Sequence, residues 1–423
     1  MKLLFATVPF DGHFNPLTSA ARRLLDQGHD VRWYAGPSYA GKLAKLGIPH
    51  LPYQRAREVN AENVGQLFPE RQKFSGPTQI RFDLTQIFVA PSLDWFEDLR
   101  ELRASFPFEA VLCDGAFFGG AHLVKQKLGV PVAAFGISPL LCTSPGVPPN
   151  FAGLKPPKSA LGRGFQRLIG FAMDQLVMKE GRERYQRILD AQGLPRLTRS
   201  LFDIIYDDSD AFFQLGAPGF EWPRRELPKS VRFIGALLPW QGTISRPFPH
   251  RERLEQASRV ILISQGTVDN KDPHKLIIPA LEGLEGSGAL LIATTGGENT
   301  AALRQRFPQA IIEDWVDFPA VLSKASLFVC NGGFGSILMS FTHGVPVLTA
   351  GIREGKNDIN ARVDHFGYGI DLRTEQPKSA RIRAAAEKLL ATPRYRENVA
   401  RLRAELAHYQ PLEAVSRWVD SLA

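Results

Sequence analysis

LLFATVPFDGHFNPLTSAARRLLDQGHDVRWYA, residues 3–35, is the stretch that decides the fold class. Its first apolar run, 3–8, stops at Pro9. Residues 15–27 then carry Leu17, Ala20, Ala21, Leu24 and Leu25 at helical spacing and stop at Gly28, and 31–35 is β-rich again. A helix crossing between two strands implies that the strands are parallel and the crossover right-handed. The first run is unbroken instead of alternating, as a strand covered on both faces requires. Only Lys2 precedes it as a charge, and it leads into Asp11 and His13 instead of a small-residue cleavage site, so it reads as a first strand and not as an export signal.

The alternation continues with a strand at 110–113, a helix at 116–128 closed by Gly129, and a strand at 130–135. Pro218, Pro223, Pro228, Pro239, Pro247 and Pro249 then crowd into 216–249, which is linker chemistry. Strand-like runs resume at 260–264, 290–294, 327–330 and 345–349. Residues 395–423 are helical in period, with Val399, Leu402 and Leu406 before a break at Pro411 and Leu412, Val415, Trp418, Val419 and Leu422 after it. A chain of 423 residues holds two domains of about 200 residues each. The expectation is an α/β protein of two doubly wound, Rossmann-like domains facing across a cleft: 1–237, 238–403, and a helix at 404–423 docking back on the first domain.

Apolar residues at 44% and charged residues at 22% are globular values that exclude disorder and collagen. Three cysteines are an odd number, and Cys113 and Cys330 lie in strand-like runs, so a reducing cytoplasm is expected. No run of about 18 apolar residues occurs, so no stable membrane insertion is expected. Some of the net charge of +8 sits at Arg163, Arg167, Lys179, Arg182, Arg184 and Arg187 within 155–187. That face reads as a solvated helix surface, with anionic lipid or nucleic acid as the other readings and no nucleic-acid partner expected.

The strongest local chemistry lies in Phe328-Val-Cys-Asn-Gly-Gly-Phe-Gly-Ser336, where Gly332, Gly333 and Gly335 stand between a strand and a helix. Amide N–H groups at a helix N-terminus attract phosphate through hydrogen bonds and the helix dipole. Ser336 adds a hydroxyl and Asn331 an amide donor, although tight-turn packing alone accounts for such glycines equally well. His13 follows the first strand, where open α/β sheets place ligands, and imidazole takes up a proton near neutral pH. Asp114 ends another parallel strand and can fix the tautomer of His13 or cap the helix that follows; the two roles are compatible. Phe10, Phe14, Phe88, Phe117 and Phe118 either line a flat apolar pocket or pack the core. Asp208-Ser-Asp210 is formally an Asp-x-Asp metal signature, read here as loop carboxylates, and no His/Cys cluster has zinc spacing. An NAD-dependent oxidoreductase would carry Gly-x-Gly-x-x-Gly directly after the first strand, and Pro9–Gly12 does not fit it.

Taken in order, Pro9-Phe-Asp-Gly-His-Phe-Asn-Pro16, Trp315-Val-Asp-Phe-Pro, Asn331-Gly-Gly-Phe-Gly-Ser, His343-Gly-Val-Pro-Val-Leu and Glu354-Gly-Lys-Asn-Asp resemble the signatures of family 1, UDP-glycosyltransferase-like enzymes. The resemblance covers nearly the whole chain and implies the GT-B fold, with the acceptor on the first domain and a nucleotide sugar on the second. It implies a direct, inverting transfer with His13 as base and no cofactor or metal. Trp315 would stack on the base, residues 331–336 would hold the diphosphate, and Ser264, Gly266 and Thr267 would form a second donor-proximal turn, with Thr295, Gly296 and Gly297 nearby. Glu354, Lys356 and Asp358 would lie at the sugar. Asn331 stands where many members have His, Met339 where a ribose-binding Glu is expected, and Glu354-Gly355 where an acidic-Gln pair is usual. The pattern is similar to a bacterial subgroup that includes flavonoid rhamnosyltransferases, implying dTDP-rhamnose or UDP-glucose as donor and a small aromatic acceptor. Transfer to a lipid or other metabolite at a membrane surface, and a non-catalytic nucleotide- or carbohydrate-binding protein, are the other readings.

Overall fold

The computed structural model describes residues 1–242, 248–266 and 270–423. Among them, the first half builds a parallel sheet from β1 (Lys2–Ala6), β2 (Asp30–Ala35), β3 (His50–Pro52), β4 (Ala110–Asp114), β5 (Val132–Gly136), β6 (Ala211–Leu215) and β7 (Val231–Gly235). Their order is β3-β2-β1-β4-β5-β6-β7. The second half builds another parallel sheet from β8 (Val260–Ser264), β9 (Leu290–Thr294), β10 (Ile311–Glu313), β11 (Ala325–Cys330), β12 (Val347–Thr349) and β13 (Gly369–Asp371), ordered β10-β9-β8-β11-β12-β13. These are the two doubly wound units that the unbroken apolar runs imply. Leu3, Leu4 and Phe5 of β1 are fully buried, and each such side chain stabilises the fold by about 1.5–3 kcal/mol.

Local sequence sets the crossovers. The Thr18–Asp26 helix buries Thr18, Ala20, Ala21 and Leu24 and ends where Gly28 takes a φ of 89°, a left-handed conformation open to glycine at little cost. Residues 216–249 are not linker throughout. Phe220 and Trp222 are buried there, and β7 forms the sheet edge, the one place in a sheet where nearby prolines are tolerated. The three cysteines are free and buried.

In each sheet the order reverses direction beside the first strand, between β1 and β4 and again between β8 and β11. Such a switch point opens a crevice at the carboxyl ends of the strands, where α/β sheets bind ligands. The two carboxyl edges face each other. A Cβ on Gly216, just past β6, would lie 3.5 Å from Leu338 and 3.7 Å from Phe334, and Phe220 stacks on Phe334 with centroids 6.0 Å apart. Arg362 donates from Nη2 to Glu221 at 2.6 Å, and both side chains are buried. The terminal helix, Pro411–Asp420, packs Trp418 edge-on against Phe213 of β6, and Glu413 pairs with Arg23 at 2.6 Å.

Candidate active site

At the first switch point β1 delivers His13 and β4 delivers Asp114. His13 donates from Nδ1 to Asp114 Oδ1 at 2.7 Å, with the carboxylate fully buried and the imidazole about a quarter exposed. Asp114 Oδ1 also accepts the Ala116 N–H at 2.8 Å and Oδ2 the Val8 N–H at 2.9 Å. Asp114 therefore caps the next helical turn and orients the imidazole at once. In a neutral imidazole with a proton on Nδ1, Nε2 carries the lone pair. Phe10 and Phe88 flank the ring at centroid distances of 6.0 and 6.4 Å, both partly exposed. Phe14, Phe117 and Phe118 do not join them. Phe14 packs on Trp33 and Tyr39, Phe117 stacks on Trp95 and Phe118 meets Tyr185, all in the core. Their expected place in a pocket gives way to packing.

At the second switch point β11 ends at Cys330 and the Phe334–Thr342 helix begins four residues later. The first N–H groups of that helix, at Phe334, Gly335 and Ser336, have no carbonyl behind them to bond within it. Gly332 has a φ of 95°, and a Cβ there would fall 2.2 Å from Asn360 Oδ1. A Cβ on Gly335 would meet nothing within 4 Å, so the helix mouth is open at that point. The Ser336 hydroxyl donates to Gly333 O at 2.9 Å. Asn331 is buried and donates its amide to Gln265 O, so the group expected to reach phosphate fastens two turns together.

The turn after β8 brings Ser264 and Gly266 against that fastening: Ser264 Oγ accepts the Gly266 N–H at 3.3 Å, and a Cβ on Gly266 would sit 2.8 Å from Asn331 Nδ2. Thr267 lies outside the described residues. Gln265, between Ser264 and Gly266, joins this site without any local sequence signal of its task. Its buried Oε1 accepts the Leu276 N–H at 3.0 Å and its Nε2 donates to Asp272 O at 2.8 Å. After β9, Gly296 donates to Asp314 O at 2.8 Å, and Thr295 bonds Thr300. Trp315 follows β10 with two-thirds of its surface exposed.

The loop after β12 carries the acidic candidates, and they divide. Glu354 is exposed, adopts a φ of 56° and accepts from Lys356 Nζ at 2.7 Å. Desolvation pushes its carboxyl up, but the Lys356 ammonium, with Arg71 and Lys275 adding to it, holds the group below its ordinary value. Arg71 belongs to the first half, so this loop feels a cation from across the cleft; nothing in the sequence around Arg71 signals that. Asp358 instead accepts the Phe151 N–H and, at 2.7 Å, the Gly153 N–H. Burial pushes its carboxyl up despite both donors. It pins the 151–153 segment of the first half to the second half.

Asp208 bonds His122 and, at 2.8 Å, Gln126; Asp210 bonds Lys125 at 2.7 Å and the Val132 N–H at 2.8 Å. Both carboxylates of the Asp-x-Asp are thus engaged as structural acceptors.

The C-terminal domain of the erythromycin biosynthesis protein CIII-like family matches residues 286–420. The chain is 32% identical to 4'-demethylrebeccamycin synthase of Lentzea aerocolonigenes over 96% of both chains. It is 26% identical to UDP-glycosyltransferase 2 of Phaeomoniella chlamydospora over 100% of this chain and 95% of that one. Its fold is similar to that of the glycotransferase of kitacinnamycin, with a TM-score of 0.73 and 20% identity over 100% and 98% of the two chains.

Proposed function

The chain belongs to the family 1 glycosyltransferases of natural-product type, and from that premise we propose that it moves a hexose from a nucleotide diphosphate sugar to a hydroxyl of a small aromatic acceptor, with inversion and without a metal. The observation that carries this reading is the pairing of the His13–Asp114 dyad at one switch point with the open mouth of the Phe334–Thr342 helix at the facing one.

His13 Nε2 takes the acceptor proton as the acceptor oxygen forms its bond to the anomeric carbon. The bond from that carbon to the diphosphate breaks in the same step, and its electron pair leaves with the phosphate. Asp114 stabilises the imidazolium, and the N–H groups of residues 334–336 with the helix dipole meet the charge of the leaving group. One displacement inverts the anomeric centre. A phenol, of ordinary pKa about 10, gives up its proton to a base far more readily than an aliphatic alcohol does, and Phe10 and Phe88 offer apolar faces beside the imidazole.

For the donor, Met339 stands one turn into that helix, packed among core residues. A thioether offers no useful partner to a ribose 2'-hydroxyl, which favours a deoxyribonucleotide donor such as dTDP-rhamnose over UDP-glucose. UDP-glucose stays in view because a relative named as a UDP-glycosyltransferase aligns over the full chain. The test is incubation with a panel of dTDP- and UDP-sugars and a flavonol in the presence of EDTA, followed by mass spectrometry. Product mass rising by one deoxyhexose, with dTDP-rhamnose consumed, is the expected result. Nucleotide binding without donor consumption would make the chain a binding protein, and activity abolished by EDTA would overturn the metal-free reading.

A further inference from the structure

The Ala160–Met173 helix buries none of its residues. Leu161, Phe165, Leu168 and Phe171 along it, and Leu176 just beyond, are 88%, 62%, 63%, 65% and 69% exposed; only Leu227, Trp315 and Ile352 are other exposed large apolar residues among those described. At about 3.6 residues per turn, these side chains share one arc. Gly170 packs near Pro149 on the opposite side, Gln166 donates to Lys155 O at 2.8 Å, and Met173 touches the core. The apolar face therefore points outward and the polar Gln166 inward, the reverse of a helix covering a core. Arg167 flanks the arc, Lys158 precedes it, no Asp or Glu occurs from residue 155 to 173, and Asp174, inside the span that reaches Leu176, pairs with Arg182 at 2.6 Å. Over 160–176 the basic face expected from sequence is instead an apolar arc bordered by Arg167; Lys179, Arg182, Arg184 and Arg187 lie on the next helix, Lys179–Ala191.

We propose that this helix is a peripheral docking surface for a bilayer rich in anionic lipid, the arc entering the headgroup boundary while Lys158 and Arg167 meet lipid phosphates. Large apolar side chains on one face with cations beside them and no acid is the chemistry of an interfacial helix. A second copy fits less well, because a two-fold pairing of this face sets its cations against their own equivalents with no carboxylate to offset them. The helix is rooted at the cleft rim: the segment leading to it bonds Asp358 through Phe151 and Gly153, and Lys155 pairs with Asp364.

The experiment is flotation of the purified protein with vesicles of phosphatidylcholine alone or mixed with phosphatidylglycerol, at low and high salt. The wild type is expected to float with the mixed vesicles, less at high salt, and poorly with phosphatidylcholine alone. Lys158→Glu/Arg167→Glu should lower partitioning to the mixed vesicles roughly thirtyfold or more, and Phe165→Ser/Leu168→Ser should lower it at either salt concentration. These positions are exposed, so both variants should melt like the wild type and transfer sugar to a water-soluble acceptor at the same rate. Absence of flotation with mixed vesicles, or flotation unchanged in both variants, overturns the proposal. So does a wild-type dimer that Phe165→Ser/Leu168→Ser converts to a monomer, which would assign the arc to a second copy.

Discussion

The two walls of the cleft are built on one plan and work by different means. Both lie at the switch point of a parallel sheet, yet the first presents side chains and the second presents backbone. At β1 and β4 a buried carboxylate accepts one imidazole and two main-chain N–H groups, so one ring is held in one orientation. At β8 and β11 the side chains Asn331, Gln265 and Asn360 tie loops together, leaving amides at the helix mouth. A wall made of side chains fails when an atom is removed, and a wall made of backbone fails when an atom is added.

The largest expected effect follows for the first wall. His13→Ala should lower turnover by about two to four orders of magnitude, the usual share of a general base, with nucleotide affinity unchanged by calorimetry. Equal loss of nucleotide binding would show that the walls are not separable and would take His13 out of its role.

On the second wall two glycines should respond in opposite ways to the same methyl group. In Gly332→Ala the new Cβ meets Asn360 Oδ1 at 2.2 Å in a residue with a φ of 95°, so a stability loss of about 1–3 kcal/mol is expected in a denaturant titration. In Gly335→Ala the methyl enters open space in the first helical turn, where alanine is favoured by up to about 1 kcal/mol. Stability should hold or rise while donor affinity falls roughly tenfold, or about 1.4 kcal/mol, because the methyl occupies the volume assigned to phosphate. Undiminished donor affinity in Gly335→Ala would remove the helix mouth as the cradle.

How much of this was legible in the sequence follows the same division. Strands β1, β4, β5, β8, β9 and β11 announce themselves as apolar runs because parallel strands are covered on both faces. The edge strand β7 does not, since Val231 and Phe233 are only partly buried, Arg232 is exposed and prolines surround it. The His13–Asp114 pair was readable because Asp114 ends a strand and His13 lies in the turn that follows another, and the ends of parallel strands converge at a switch point. The tasks of Asn331 and Asp358 were not. Their partners are Gln265 and the Phe151–Gly153 segment, 66 and more than 200 residues away in sequence, and no local pattern reports a bond of that range. Aromatic identity likewise could not separate Phe10 and Phe88 from Phe14, Phe117 and Phe118, since which face of a segment meets the core is set by packing.

Glu354 gives the smallest effect and the finest test of the contrast between the walls. Its carboxyl sits below its ordinary value because of Lys356, Arg71 and Lys275, so its pairing adds stability above the unfolded value of about 4.3 and loses it as pH falls through the folded value. The side chain is 56% exposed, and solvent screening leaves a few tenths of a kcal/mol at most. Wild type and Glu354→Gln should therefore differ slightly in unfolding free energy at neutral pH, converge in acid, and converge in high salt as well. A loss above about 1 kcal/mol at neutral pH would mean that Glu354 is built in as Asp114 is. The second wall would then rest on a fixed charge, and its independence of side-chain chemistry would be lost.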